Sequence, residues 1–300
     1  MKREPYHKFW QRIHTSAREN SFPLRVMFEL TYNCNFKCRH CYVPPAYRER
    51  YKKKELNTGE VFSILEQLKD MGCFYLGFTG GEPFLRPDIM DILDHAKQCG
   101  FAIIIYTNGS LITEKVADGL ARLNPNKVDI TIPAVSEEAF HRITGVSGAR
   151  DRVFGAIKLL RRKGVSLGFK SCVLKENISE IGKMAGFVKS IGGAYRLDDT
   201  LSPRLDGSRI PYNYRVKDSD RAPRLKKASP PLTVKEAFNC GAGYAQAAVT
   251  PAGELKICLM VDHPKYNIID LSFEKAWQKQ IESMNRIAPY IYNKCKQCQP

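Results

Sequence analysis

The chain has 300 residues, 43% hydrophobic and 26% charged, which suits a globular protein with one large domain, a small one and an ample buried core. No apolar run reaches the ~18 residues that span a bilayer, and the polar, basic stretch 1–20, with Glu4 and Glu19, lacks the ~7–15-residue core of a secretory signal, so a cytoplasmic address is expected. A net charge of +16, from 47 Lys and Arg against 31 Asp and Glu, would suit an anionic cofactor or an acidic peptide or equally be a solvated basic surface, and no aromatic-plus-basic signature speaks for nucleic acid.

From the N-terminus onward, strands are predicted over Arg25–Thr31, Phe74–Thr79, Phe101–Thr107, Val128–Ile132, Val165–Leu174 and Ala194–Leu197. Several are apolar without clean alternation, as strands buried on both faces should be. Helices are predicted over Thr58–Met71, Pro87–Cys99, Thr113–Leu123, Glu137–Ile143, Arg152–Lys163 and Ile178–Ser190, each with apolar residues at three-to-four spacing. Asn57 or Thr58, Pro87, and Thr113 with Glu114 supply start signals, and Gly72, Gly100, Gly164 and Gly192 stand where helices should stop. Six strand–helix units in a row argue for a parallel α/β sheet with right-handed crossovers. The expected fold is a partial (β/α)6 TIM-type barrel, with a flat doubly wound sheet as the rival. Residues 206–231, rich in Pro, Ser and charge, read as a linker. Beyond it, Tyr244–Thr250 and Glu254–Leu259 flank a Pro-Ala-Gly turn as a probable hairpin, and a helix is predicted over Phe273–Asn285.

Ten cysteines punctuate this pattern. Cys73, Cys99 and Cys172 lie beside or within apolar stretches and read as small core residues. The other seven are clustered or spaced like ligands, and in a reducing compartment such clusters mean metal more often than disulfides. Cys34, Cys38 and Cys41 arrive within eight residues, directly after the first strand. Thiolates are the soft ligands of iron–sulfur clusters, and ~four are usual for a [4Fe–4S] cluster, so three leave one iron open to a small molecule. The alternative is a zinc knuckle that borrows His40, although zinc ribbons normally use paired Cys-x-x-Cys units.

Cys34-x-x-x-Cys38-x-x-Cys41, with His40 before the last cysteine, resembles the signature of the radical S-adenosylmethionine (SAM) superfamily. The resemblance implies a [4Fe–4S] cluster on these three residues, with SAM chelating the open iron. It also implies cleavage of SAM to a 5′-deoxyadenosyl radical that abstracts hydrogen from a substrate. Gly80-Gly81-Glu82 after the second strand resembles the family's GGE motif, which binds the methionyl amine; otherwise it is an ordinary tight loop with a surface Glu. By the same resemblance Asn108 and Thr131, at the ends of the third and fourth strands, would lie near the ribose and carboxylate of SAM; otherwise Thr107-Asn108-Gly109 is simply a turn. Lys170 could pair with that carboxylate or remain solvated. Many relatives carry an acidic residue just after the fourth strand, where this chain reads Ile130-Thr-Ile-Pro-Ala134 without one.

Cys240, Cys258, Cys295 and Cys298 resemble the SPASM/Twitch auxiliary-cluster domains of that superfamily, with a four-thiolate zinc site as the alternative. The expected organisation is an N-terminal extension over 1–22, the barrel over 23–205, the linker over 206–231 and a Cys-rich hairpin-plus-helix domain over 232–300. The segments Phe169–Asn177 and Tyr195–Gly207 are similar to SPASM-type peptide maturases, so the leading expectation is a peptide-modifying enzyme fed electrons by a flavodoxin or ferredoxin. A Twitch-type dehydrogenase of a small alcohol is the second, and a non-catalytic iron–sulfur or zinc module the third.

Overall fold

The computed structural model describes residues 6–217 and 241–297. Six of the strands are those expected from sequence: β1 (Arg25–Thr31), β2 (Tyr75–Gly80), β3 (Ala102–Thr107), β4 (Lys127–Thr131), β5 (Leu167–Cys172) and β6 (Ala194–Asp198). Each pairs in parallel with the next, giving the order β6-β5-β4-β3-β2-β1. Period-two geometry divides their side chains. Val26, Phe28 and Leu30 of β1 are at most 1% exposed and join the core under the helices, while Met27, Glu29 and Thr31 take the opposite face.

The helices that cover the outer face form where their caps say they should. Before α3 (Thr58–Asp70), Asn57 and Glu60 exchange side-chain-to-backbone hydrogen bonds in a reciprocal capping box. This helix buries Val61, Ile64, Leu65 and Leu68. Thr113 caps α5 (Glu114–Leu123) and Ser136 caps α6 (Glu137–Thr144). Between and after these lie α4 (Ile89–Gln98), α7 (Ala149–Arg162) and α8 (Ile181–Ser190), and the four expected stop glycines all have positive φ.

Apart from short turns, three elements escaped the sequence reading. The stretch read as an N-terminal extension forms α1 (Tyr6–Glu19), which sets the Trp10 ring 5.1 Å from that of Tyr75 and buries Ala17 beside Leu24 and Ala245. A short α2 (Pro45–Lys52) buries only Tyr51, too little apolar surface to show a period. The third is β9 (Val261–Asn267), whose Pro264 is tolerated because this is an edge strand.

The C-terminal hairpin extends the main sheet. Strand β7 (Gln246–Val249) runs parallel to β1 in the register Arg25↔Gln246 to Phe28↔Val249. Then β8 (Glu254–Cys258) and β9 add antiparallel, so the described sheet has nine strands and ends at β6 and β9 without closing. After a short turn, α9 (Ile268–Leu271), the long α10 (Phe273–Gln297) buries Phe273, Ala276 and Trp277. The Trp277 indole donates to the Ser21 carbonyl at 2.6 Å. The first part of the expected linker is also structured. The Leu205 N–H donates to the Tyr42 carbonyl, Ile210–Tyr214 form a 3-10 turn, and Lys175 N–H donates to the Tyr214 carbonyl. Residues 218–231 lie outside the described residues.

Candidate active site: a thiol-lined cavity at the strand ends

Beyond Thr31 the chain leaves β1 as a loop that carries the three clustered cysteines. Its backbone is anchored from several sides. Lys37 N–H donates to the Thr144 carbonyl at 2.8 Å, Cys41 N–H to the Cys38 carbonyl at 3.1 Å, and the Arg48 guanidinium to the carbonyls of Cys34 and Phe36 at 3.3 and 3.0 Å. Phe36 is buried edge-on against Phe140, pinning the loop's middle into the core. Cys34, Cys38 and Cys41 are half-buried and line one cavity of about 470 Å³. Burial pushes the Cys34 thiol up to about 11, and burial together with the neighbouring thiols pushes Cys38 well up too. As free thiols these two are protonated at neutral pH, and a bound metal would displace their protons.

The donor set discriminates between metals. A single ion needs its ligands converging on one point, whereas a four-iron cluster is met by thiolates that stand apart, each on its own iron. Among the described residues no three His, Cys, Asp or Glu are placed to hold a single ion. His40 lines the same cavity, its Nδ1 is buried without a partner, and burial holds its imidazole down at about 4, hence neutral. Three soft thiols that form no single-ion site fit an iron–sulfur cluster with one open iron.

Gly80 and Gly81 are required by the thiol loop. Gly81 N–H donates to the Thr31 carbonyl at 2.7 Å and Glu82 N–H to the Asn33 carbonyl at 2.8 Å, so the loop after β2 lies flat on the loop after β1. A Cβ on Gly81 would sit 2.0 Å from the Asn33 oxygen, and one on Gly80 2.2 Å from that of Thr31. Gly80 also holds φ at +119°, where side chains are strained.

Glu82 is fully buried, not a surface residue, and stands outside the cavity lining. Its carboxylate accepts from the Thr107 hydroxyl at 2.7 Å, Asn108 N–H at 2.8 Å and Phe84 N–H at 3.2 Å. It thereby ties the end of β2 to the end of β3. Burial raises its carboxyl to about 7 against the pull of those three donors.

Asn108 and Thr131 both line the cavity. The Asn108 amide donates to Asn35 Oδ1 at 2.8 Å and accepts from Ser110, so the β3 end is stitched to the thiol loop as well. Thr131 pairs in register with Lys170, whose ammonium sits 4.5 Å from the centre of the Tyr106 ring and whose charge is disfavoured by burial. Lys170 is therefore a cavity residue, and Cys172, Arg196 and Asp198 line the same wall. Cys172, expected to be a core residue, packs at the margin of the core and also faces this space. Period-two reading from Lys170 would have put Cys172 on the same face. Asn177, fully buried, holds that wall through Leu174 N–H and the carbonyls of Pro133 and Cys172. Where the expected acidic residue after β4 is missing, Glu180 accepts from the N–H groups of Val135 and Ser136.

One buried network was not anticipated. Glu29, fully buried on β1, accepts from Tyr42 OH at 2.7 Å, Tyr32 OH at 3.0 Å and the fully buried Lys256 ammonium of β8 at 2.8 Å. Lys256 also donates to the Leu259 carbonyl at 3.2 Å, and Leu259 and Met260 line the cavity. Of the four cysteines in the tail, Cys258 ends β8 half-buried. Cys240, Cys298 and the side chain of Cys295 lie outside the described residues.

Clustered thiols at the C-terminal ends of a parallel, barrel-like sheet define a class of cofactor-dependent enzyme, and the comparisons agree. The chain belongs to the radical SAM superfamily, whose family model matches residues 28–188. It is 26% identical to the PqqA peptide cyclase of Gluconobacter oxydans over 298 residues, 92% of this chain and 83% of that protein. It is 29% identical to the subtilosin biosynthesis protein AlbA of Bacillus subtilis over 303 residues, 89% of this chain and 64% of that one. The fold matches the crystal structure of Streptococcus suis SuiB bound to S-adenosylmethionine with a TM-score of 0.71, covering 92% of this chain and 72% of that one at 18% identity. Members of this superfamily use a [4Fe–4S] cluster and SAM. Among the described residues no helix is long and apolar enough to cross a membrane.

Proposed function

We propose that the chain is a cytoplasmic peptide maturase that holds a [4Fe–4S] cluster on Cys34, Cys38 and Cys41 and binds SAM beside it. One observation carries the reading. The three thiols line a single cavity together with residues from the ends of β2, β3 and β4, the strand ends where the ligand of such a sheet belongs. When bound, the cluster and SAM supply a 5′-deoxyadenosyl radical that takes a hydrogen atom from the substrate.

The chain's own residues prepare that chemistry. Gly80 and Gly81 present bare backbone to the cavity for the methionyl amine, and Glu82 fixes the peptide on which Asn108 turns toward the ribose. Thr131 and Lys170, adjacent in register, offer a hydroxyl and an ammonium to the carboxylate of SAM.

A peptide substrate is supported by the names of the relatives, a PqqA peptide cyclase and a mycofactocin maturase, and by a solved SuiB structure bound to its precursor peptide SuiA with a TM-score of 0.65. The net charge of +16 suits an acidic peptide. Electrons would come from a flavodoxin or ferredoxin. Cys240, Cys258, Cys295 and Cys298 would hold an auxiliary cluster within a C-terminal unit spanning 232–300.

Anaerobic reconstitution of the wild type and of a variant with Cys34, Cys38 and Cys41 changed to Ala tests this. About four irons should be lost, together with production of 5′-deoxyadenosine. Iron content and SAM cleavage that survive the triple substitution would refute it.

A further inference from the structure

We propose that Lys256 is a positioning residue for the thiol loop, so that the C-terminal hairpin is a working part of the cluster site. The inference rests on the reading of Cys34, Cys38 and Cys41 as cluster ligands. Its geometry is independent of that reading.

Tyr32 stands two residues before Cys34, and Tyr42 follows Cys41 directly. Their hydroxyls converge on the two oxygens of Glu29, so one carboxylate grips both ends of the loop. That carboxylate would be untenable alone, because Glu29 is fully buried. Its counter-charge comes from Lys256, also fully buried, at 2.8 Å. Neither β1 nor the loop provides this cation, and β8 is not even adjacent to β1, since β7 lies between them.

The sheet is built to let the lysine cross. In register, Met27 of β1 faces Ala248 of β7, and Ala248 faces Lys256 of β8, so all three share one side of the sheet. Glu29 is two residues further along the same side of β1. At that register the intervening strand contributes only the Ala248 methyl group, and the Lys256 ammonium stands 2.8 Å from the carboxylate. A larger residue at 248 would crowd that approach. A second bond, to the Leu259 carbonyl, fixes the turn that carries Leu259 and Met260 into the cavity wall. One ammonium thus holds the thiol loop and the Leu259–Met260 part of the cavity lining together.

The test uses the full chain without metal and follows iodoacetamide alkylation of Cys34, Cys38 and Cys41 by peptide mass spectrometry, with Cys99 as the internal reference. Lys256→Met strands the Glu29 charge, and the three thiols should react about tenfold faster while Cys99 is unchanged. The double variant Glu29→Gln/Lys256→Met removes both charges and leaves an amide that can still bond both tyrosines, so the wild-type rate should return. Tyr42→Phe, which deletes one hydroxyl and no charge, should speed the three thiols about threefold. A lower urea midpoint in Lys256→Met with wild-type alkylation at all three thiols would overturn the proposal. If Lys256→Met does not fold, Tyr42→Phe decides, and wild-type rates there overturn it. Failure of the cluster reading itself would appear elsewhere, as an undiminished iron count after Cys34, Cys38 and Cys41 are all changed to Ala, because alkylation needs no cluster.

Discussion

Glu82→Gln isolates one carboxylate on which the geometry of the β2 and β3 strand ends depends. Glu82 is fully buried, and its carboxyl is raised from 4.5 to about 7 by loss of hydration, only partly offset by Thr107, Asn108 and Phe84. Between those two values the folded chain keeps a proton that the unfolded chain has released. Stability attached to this group is therefore lost as pH rises through that window, the reverse of an ordinary salt-bridged carboxylate. The gap of 4.5 to about 7, at about 1.4 kcal/mol for each pH unit, amounts to about 3 kcal/mol. A glutamine of the same shape does not titrate, though it forfeits part of the hydrogen bonding at every pH. Urea unfolding of the metal-free protein at steps from about pH 5 to about pH 8 should show wild type losing about 2–3 kcal/mol relative to Glu82→Gln. A difference that stays flat with pH would mean that the three donors fully compensate burial, and the desolvation argument would be wrong.

Three other substitutions probe the scaffold. Gly81→Ala would place a methyl group 2.0 Å from the Asn33 carbonyl oxygen, and since that oxygen is backbone and a Cβ has no rotamer to escape by, the two loops must part. Reconstituted protein should lose most of the iron bound at the Cys34 loop, with about 3 kcal/mol of stability lost in urea unfolding. Arg86, 8% exposed, bonds the carbonyls of Leu30 and Leu56 and pairs with Asp88, so Arg86→Met should cost about 3–5 kcal/mol by the same assay. Asn177→Leu would leave Leu174 N–H and the carbonyls of Pro133 and Cys172 unpaired beneath the β4–β5 wall. We expect a loss of about 2–4 kcal/mol and a measurable fall in SAM affinity by calorimetry.

The sequence shows well what local chemistry decides. Runs such as Phe101–Thr107 have no outlet except a doubly covered strand, and Asn57 with Glu60 announces a helix start in a few letters. The thiol loop and Gly80-Gly81 are legible because spacing and residue type are themselves the signal. What stays hidden depends on long-range pairing. Nothing near Lys256 in the chain marks it as buried, since in a hairpin strand a lysine reads as outward-facing until β7 is known to join β1. Cys172 illustrates a related ambiguity: a small apolar residue at a strand end suits a core margin and a cavity wall equally well. Glu82 shows that a motif residue can be found from sequence while its immediate partners, Thr107 and Asn108, need coordinates.

The parallel pairing of β1 with β7 also governs the order in which the chain can complete itself. Arg25 leaves the ribosome early, yet its partner Gln246 follows only after the six parallel strands have been made. Throughout that interval β1 offers an unpaired edge, with Glu29 lacking its cation, to any other extended chain in reach. Contacts of such sequence separation are slow to form. Nascent chains stalled before β7 should therefore be held by chaperones longer than chains that have completed it, through a stretch of synthesis lasting roughly tens of seconds.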